Sequence, residues 1–201
     1  MRVLSARAAF AVGVLLTVAS LRAAAPLSKQ QADLFSQKIA QIAAQGETPQ
    51  KQGAHRTPVT ESELNSWFTY AAKPLLPAGV ADPRIAMLGA GKLTGQAIVD
   101  LDVIAKRKAT GGTFDIWNLI SGKVPVNVAG TLRTKDGTGT FDIDSADING
   151  VPVPKTFLQE VVSYYSRTPK NPQGMKIDDA FALPAAIRQI DIGTGQAVIV
   201  Q

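Results

Sequence analysis

The chain has 201 residues, with 21 Lys and Arg against 16 Asp and Glu, one His and no Cys. Without cysteine there is no disulfide, thiolate zinc site, cysteine nucleophile or lipid-modified N-terminal Cys, and one histidine leaves no imidazole pair for a metal. A 45% hydrophobic content over this length supports a real core, and 17 Gly with 12 Pro announce many turns.

Arg2 and Arg7 precede an apolar run from Ala8 to Leu21, and Ala23-Ala24-Ala25 offers small residues for cleavage. This pattern predicts a secretory signal peptide over 1–25, because the run is shorter than the ~20 residues of a bilayer-spanning helix and Arg22 closes it. Cleavage removes three arginines and no acid, which lowers the formal charge from +5 to +2. So small a charge argues against nucleic acid as a partner, and Lys106-Arg107-Lys108 reads as a solvated strand end. An exported chain without cysteine suits the periplasm or exterior of a bacterium better than a eukaryotic secretory route.

After the signal peptide, 26–58 is expected to hold an N-terminal helix and a linker, and 59–201 a single α+β domain. Ala32, Leu34, Phe35, Ile39, Ile42 and Ala43 recur at helical spacing before Gly46. Glu47 to Pro58 is polar, holds His55 and is read as a linker. Thr60 and Glu63 have capping-box spacing at the head of a second helix, whose Leu64, Trp67, Phe68 and Ala71 share a face until Pro74.

Beyond Pro77 the period becomes two. Ile85, Met87 and Leu88 suggest a short strand before a Gly89-Ala90-Gly91 turn, and Leu93, Gly95, Ala97, Val99, Leu101 and Val103 form the dry side of a long one. Val124, Val126, Val128, Gly130 and Leu132 repeat the alternation, Asp136-Gly137 turns the chain, and Gly139, Phe141 and Ile143 return. A third helix follows Pro154 through Phe157, Leu158, Val161, Val162 and Tyr165, and Gly193-Thr194-Gly195 closes a final hairpin. The fold class is α+β: a long curved antiparallel sheet packed on two or three amphipathic helices.

No catalytic constellation emerges. His55 sits in a polar loop without a Gly-x-Ser-x-Gly partner, and Gly89-Ala90-Gly91 lacks the rest of a dinucleotide fingerprint. Asp100 with Asp102, and Asp142 with Asp144, would be the acid and base of a glycan hydrolase, yet both pairs lie on polar strand faces where solvated charge is ordinary. Asp142, Asp144, Asp147 and Asn149 lack the offsets of a calcium loop. No metal, cofactor or catalytic residue is assigned.

The apolar sheet face carries the functional expectation. Small residues at its middle (Gly95, Ala97, Val99) leave room either for helix side chains, in which case the core is filled, or for a ligand acyl chain. The order Val59-Thr60-Glu61-Ser62-Glu63-Leu64-Asn65, Leu76-Pro77-Ala78-Gly79-Val80, the long alternating strand, Val128-Ala129-Gly130, Ile148-Asn149-Gly150-Val151-Pro152-Val153-Pro154 and Leu183-Pro184 resembles the LmeA-like phospholipid-binding proteins of bacterial envelopes, within the tubular lipid-binding superfamily. The resemblance implies a curved sheet wrapped round a helix, with an apolar groove for acyl chains. From the apolar faces themselves, the ligand-binding residues are expected to be Leu93, Ala97, Val99, Leu101, Val126 and Val128, closed by Trp67, Phe68 and Phe157. The expected partner is a lipid or other hydrophobic molecule, with transient contact at a membrane surface. The alternatives are a scaffold that binds another envelope protein and, less favoured, a carboxylate-dependent glycan hydrolase.

Overall fold

The computed structural model describes residues 26–47, 53–103, 122–167 and 171–201, and it is α+β with antiparallel sheets. The expected signal peptide and Lys106-Arg107-Lys108 lie outside the described residues.

Helix α1 (Lys29–Glu47) buries Ala32, Phe35 and Ile42, but Leu34, Ile39 and Ala43, which helical spacing grouped with them, are exposed, so the buried stripe is narrower than the periodicity implied. The expected linker ends early, because Arg56–Thr60 is a strand, β1. Thr57 and Val59 alternate inward while Arg56, Pro58 and Thr60 face out, and a proline is tolerated because β1 lies at a sheet edge. The Pro58 carbonyl accepts a hydrogen bond from Lys38 Nζ of α1 at 2.7 Å.

Helix α2 (Glu61–Tyr70) begins with the capping box expected from Thr60 and Glu63. Glu63 N–H donates to Thr60 Oγ1 at 3.1 Å, and Thr60 N–H donates to Glu63 Oε2 at 2.9 Å, which satisfies two groups at the helix start. The helix closes where Ala71 and Ala72 N–H both donate to Trp67 O, and a 3₁₀ turn (Lys73–Leu75) follows.

The larger sheet runs β2 (Val80–Gly89), β3 (Lys92–Asp100), β4 (Lys123–Lys135), β5 (Thr138–Ile148) and the short β6 (Val151–Pro152), all antiparallel neighbours in chain order. Strand β2 is longer than the period suggested, since Asp82 and Pro83 fall in a bulge opposite Ala97 and the strand continues past it. Strand β3 is shorter. It ends at Asp100, and residues 101–103 turn into helical backbone, so Leu101 and Val103 leave the ladder although their spacing continues it.

Helix α3 (Lys155–Tyr165) follows β6, and β7 (Phe181–Ala182) pairs with the start of β5. Strands β8 (Gln189–Gly193) and β9 (Gln196–Val200) form the closing hairpin, and β9 pairs with β1 to complete a three-stranded sheet in the order β1-β9-β8. That sheet meets the hairpin tips of the larger one: Gly195 N–H donates to Met87 O at 2.8 Å, and Thr134 Oγ1 both accepts from Ile190 N–H and donates to Ile190 O.

Candidate functional site

Register decides which side chains share a face. In the pairing of β3 with β4, Leu93, Gly95, Ala97 and Val99 oppose Gly130, Val128, Val126 and Val124. On β2 the same face receives Met87 opposite Leu93, Ile85 opposite Gly95 and Val80 opposite Val99. On β5 it receives Ile143 opposite Gly130, Ala146 opposite Val128 and Ile148 opposite Val126. Four strands therefore present one continuous apolar surface.

The β5 contribution depends on a bulge. Ala129 pairs with Ser145 and Gly130 with Ile143, so Asp144 is an extra residue. It rephases the strand, and the apolar series passes from odd positions (Phe141, Ile143) to even ones (Ala146, Ile148) without leaving the face. Strict alternation after Asp136-Gly137 cannot reveal Ala146 and Ile148, but the break at Asp144-Ser145 is the sequence signal that could.

Helix α3 covers one end of this face. Phe157 joins Leu101, Val124 and Ile148 in a buried cluster, with Val99, Val126, Val153, Leu158 and Val161 packed around it. Of the nine residues expected to bind ligand, Val99, Leu101, Val126 and Phe157 are thus brought together. Leu93, Ala97 and Val128 continue the face outside that cluster and are half-buried. Trp67 and Phe68 also lie outside it. The Trp67 ring meets Phe35 of α1 edge-on at 5.6 Å and Phe68 at 5.5 Å, because α2 packs against α1.

The opposite face is polar. Arg84, Thr94, Gln96, Asn127, Ser145 and Asp147 line an open cleft of about 530 Å³, bordered by Glu61 and Asn65 of α2. Arg84 reaches across to Thr69 Oγ1 at 2.8 Å, and Asn127 Nδ2 donates to Asp147 Oδ1 at 2.9 Å. Of the carboxylates considered for hydrolysis, Asp100 accepts from Val103 N–H and Asp102 from Gly122 N–H, and the two no longer share a strand face since β3 ends between them. Asp142 pairs with Arg133, and Asp144 accepts from Thr131 Oγ1 at 3.5 Å. These carboxylates serve turns and cross-strand pairs.

No protein-family model matches the sequence, and neither a curated protein nor a solved structure matches it.

Proposed function

We propose that the mature chain is a non-enzymatic envelope protein, periplasmic or secreted, which holds the acyl chain of a lipid or similar amphiphile along the apolar face of the larger sheet. One observation carries this reading. The apolar surface spans β2 to β5, and although Met87 and Ala146 are buried on it beyond the α3 cluster, Leu93, Ala97 and Val128 on the two strands between them are half-buried.

The missing side chain at Gly95 and the single methyl of Ala97 lower the floor there, and an acyl chain needs no charged partner to lie on it. Burial of each methylene contributes about 0.8 kcal/mol, so a dozen of them reach ~10 kcal/mol, comparable to the cost of immobilising the ligand. Headgroup selectivity is then weak, because among the described residues this face offers no polar side chain to recognise one. A non-enzymatic role is supported by the absence of cysteine, the single histidine and the structural engagement of the four carboxylates.

Native mass spectrometry and lipid extraction of freshly purified protein test the proposal. Wild type should carry lipid, and Val99→Trp, which fills the surface beside the α3 cluster, should fold and lose it. Absence of lipid from wild type, or equal lipid stoichiometry in Val99→Trp, overturns the reading.

A further inference from the structure

The polar face of the larger sheet carries a charged row that the strand register fixes. Arg84 of β2 pairs with Gln96 of β3, Gln96 with Asn127 of β4, and Asn127 with Asp147 of β5. Because side chains alternate along each strand, all four stand on the face opposite the apolar one. A guanidinium ends the row on one side and a carboxylate on the other, with two amides between them. The adjacent row on the same face, Ala86, Thr94, Ala129 and Ser145, has only small side chains, and the open cleft of about 530 Å³ lies over it.

Two features set this cleft apart from an ordinary solvated sheet face. The first is the state of Arg84. Its Nη1 donates to Thr69 Oγ1 at 2.8 Å and to Asn65 O at 3.4 Å, which fixes the half-buried guanidinium against α2. Its Nε and Nη2 have no hydrogen-bond partner, and no carboxylate pairs with it, among the described residues. That free edge is one that can bind a carboxylate through two parallel hydrogen bonds.

The second is the placing of the acids. Asp147 Oδ1 accepts from Asn127 Nδ2 and from Gly150 N–H, both at 2.9 Å, which leaves Oδ2 for a further donor. Glu61, the other acid of the lining, already accepts from Met87 N–H through Oε2. Opposite charges at the two ends of the row complement a zwitterion whose own charges are well apart. Three strand spacings of ~4.8 Å put the Arg84 and Asp147 backbones about 14 Å from each other, beyond the reach of a single amino acid and close to about four residues of extended chain at ~3.3 Å each.

We propose that the cleft binds a short peptide with both ends free, laid across the strands. Its C-terminal carboxylate meets Nε and Nη2 of Arg84, and its N-terminal ammonium meets Oδ2 of Asp147. Between them Gln96 is exposed, with its amide uncommitted among the described residues, and Asn127 keeps its Oδ1 free, so a donor and two acceptors face the peptide units of the ligand.

Two-dimensional NMR titration of the full chain with tetra-alanine tests the proposal. At millimolar peptide the amides of Thr94, Gln96, Asn127 and Ser145 should shift. Amidating the C-terminus or acetylating the N-terminus should each weaken binding at least tenfold, and dialanine, too short to span the row, should bind as poorly. Asp147→Asn keeps the Oδ1 acceptor for Asn127 and Gly150, and should bind free and acetylated tetra-alanine equally. Arg84→Gln should lose the preference for a free carboxylate over an amide. Since Arg84 also braces α2, the blocked peptides on wild type carry the test should that variant fail to fold. Absence of shifts in the cleft, or equal affinity of wild type for free and doubly blocked tetra-alanine, overturns the assignment. Neither result bears on lipid carried by the apolar face of the same sheet.

Discussion

Asn65 treats Ile85 as a neighbouring strand would. Its Nδ2 donates to Ile85 O at 2.7 Å and its Oδ1 accepts from Ile85 N–H at 2.8 Å. One turn earlier on α2, Glu61 Oε2 accepts from Met87 N–H at 2.7 Å, and Met87 O is taken by Gly195 N–H. Strand β2 is the outer strand of its sheet, and an exposed edge with unpaired backbone groups invites pairing with another chain. The helix and the β8–β9 turn close that edge from Ile85 to Met87.

Replacing Asn65 by alanine should therefore leave two backbone groups of Ile85 without partners and destabilise the fold by about 2–4 kcal/mol. Asn65→Asp keeps the acceptor and loses the donor, so it should fall between alanine and wild type. Urea unfolding followed by circular dichroism measures the order. Equal stability of all three chains would show that the Ile85 edge does not depend on this side chain.

Glu63 accepts three hydrogen bonds from two donors in a nearly buried position. Lys38 Nζ approaches both carboxylate oxygens, at 2.7 and 2.8 Å, and Thr60 N–H donates to Oε2. The Glu63 side chain is 8% exposed and that of Lys38 24%. Removing Glu63 strands the ammonium and undoes the helix cap, so Glu63→Ala should lower stability by about 2–4 kcal/mol. Lys38→Met should do less, because its stem continues to pack and the cap survives. In a double-mutant cycle the pair should show coupling of about 1–3 kcal/mol, and additive losses would contradict the geometry.

Sequence patterning revealed whichever features are decided by neighbours in the chain. The Thr60–Glu63 box and the turn at Asp136 and Gly137, with φ of 49° and 81°, depend on a few adjacent residues, and both form where the pattern placed them. Strand β1 was hidden in polar sequence because its partner is β9, contributed from the far end of the chain. Leu101 kept the alternation of β3 but leaves the strand, since its N–H donates to Gly122 O and Asp100 N–H donates to Gly79 O, contacts made by distant segments. The apolar face was legible on β3 and β4, where nine consecutive pairs run without a shift, and incomplete on β2 and β5, where bulges change the phase. Trp67 looked like part of that face because its helical stripe is apolar, and helical spacing cannot distinguish a sheet from Phe35 of α1 as the surface it meets.

Phe157 is the centre of the cluster by which α3 closes one end of the sheet. Truncation to alanine should cost about 3–5 kcal/mol if the whole fold depends on that contact. The expected loss is more local. Amides of α3 and of β6 should exchange hydrogen faster by orders of magnitude, while amides of β1 and β9, in the other sheet, should keep their protection. Uniform acceleration across both sheets would instead make the α3 cluster part of the global unfolding unit.

Gly130 tests the sheet face itself. In a strand interior, replacing glycine with alanine ordinarily gains stability, because glycine loses more backbone entropy on folding. Here an added Cβ would sit 2.5 Å from the Asp142 carbonyl oxygen and 2.6 Å from the Phe141 ring, which leans over Gly130 from β5. The ring can rotate away, but the carbonyl belongs to the strand beside the Asp144 bulge and cannot move without disturbing the register of β4 and β5. Gly130→Ala should therefore destabilise by about 1–3 kcal/mol, the opposite sign from the usual propensity effect. Gly95→Ala is the matched control, since its added Cβ would first meet Ile85 Cδ1 at an ordinary 3.4 Å. Thermal melts of the two variants should move in opposite directions or differ by several degrees, with Gly130→Ala the lower. A stabilising Gly130→Ala would mean that the bulge does not hold the strands as closely as this register requires.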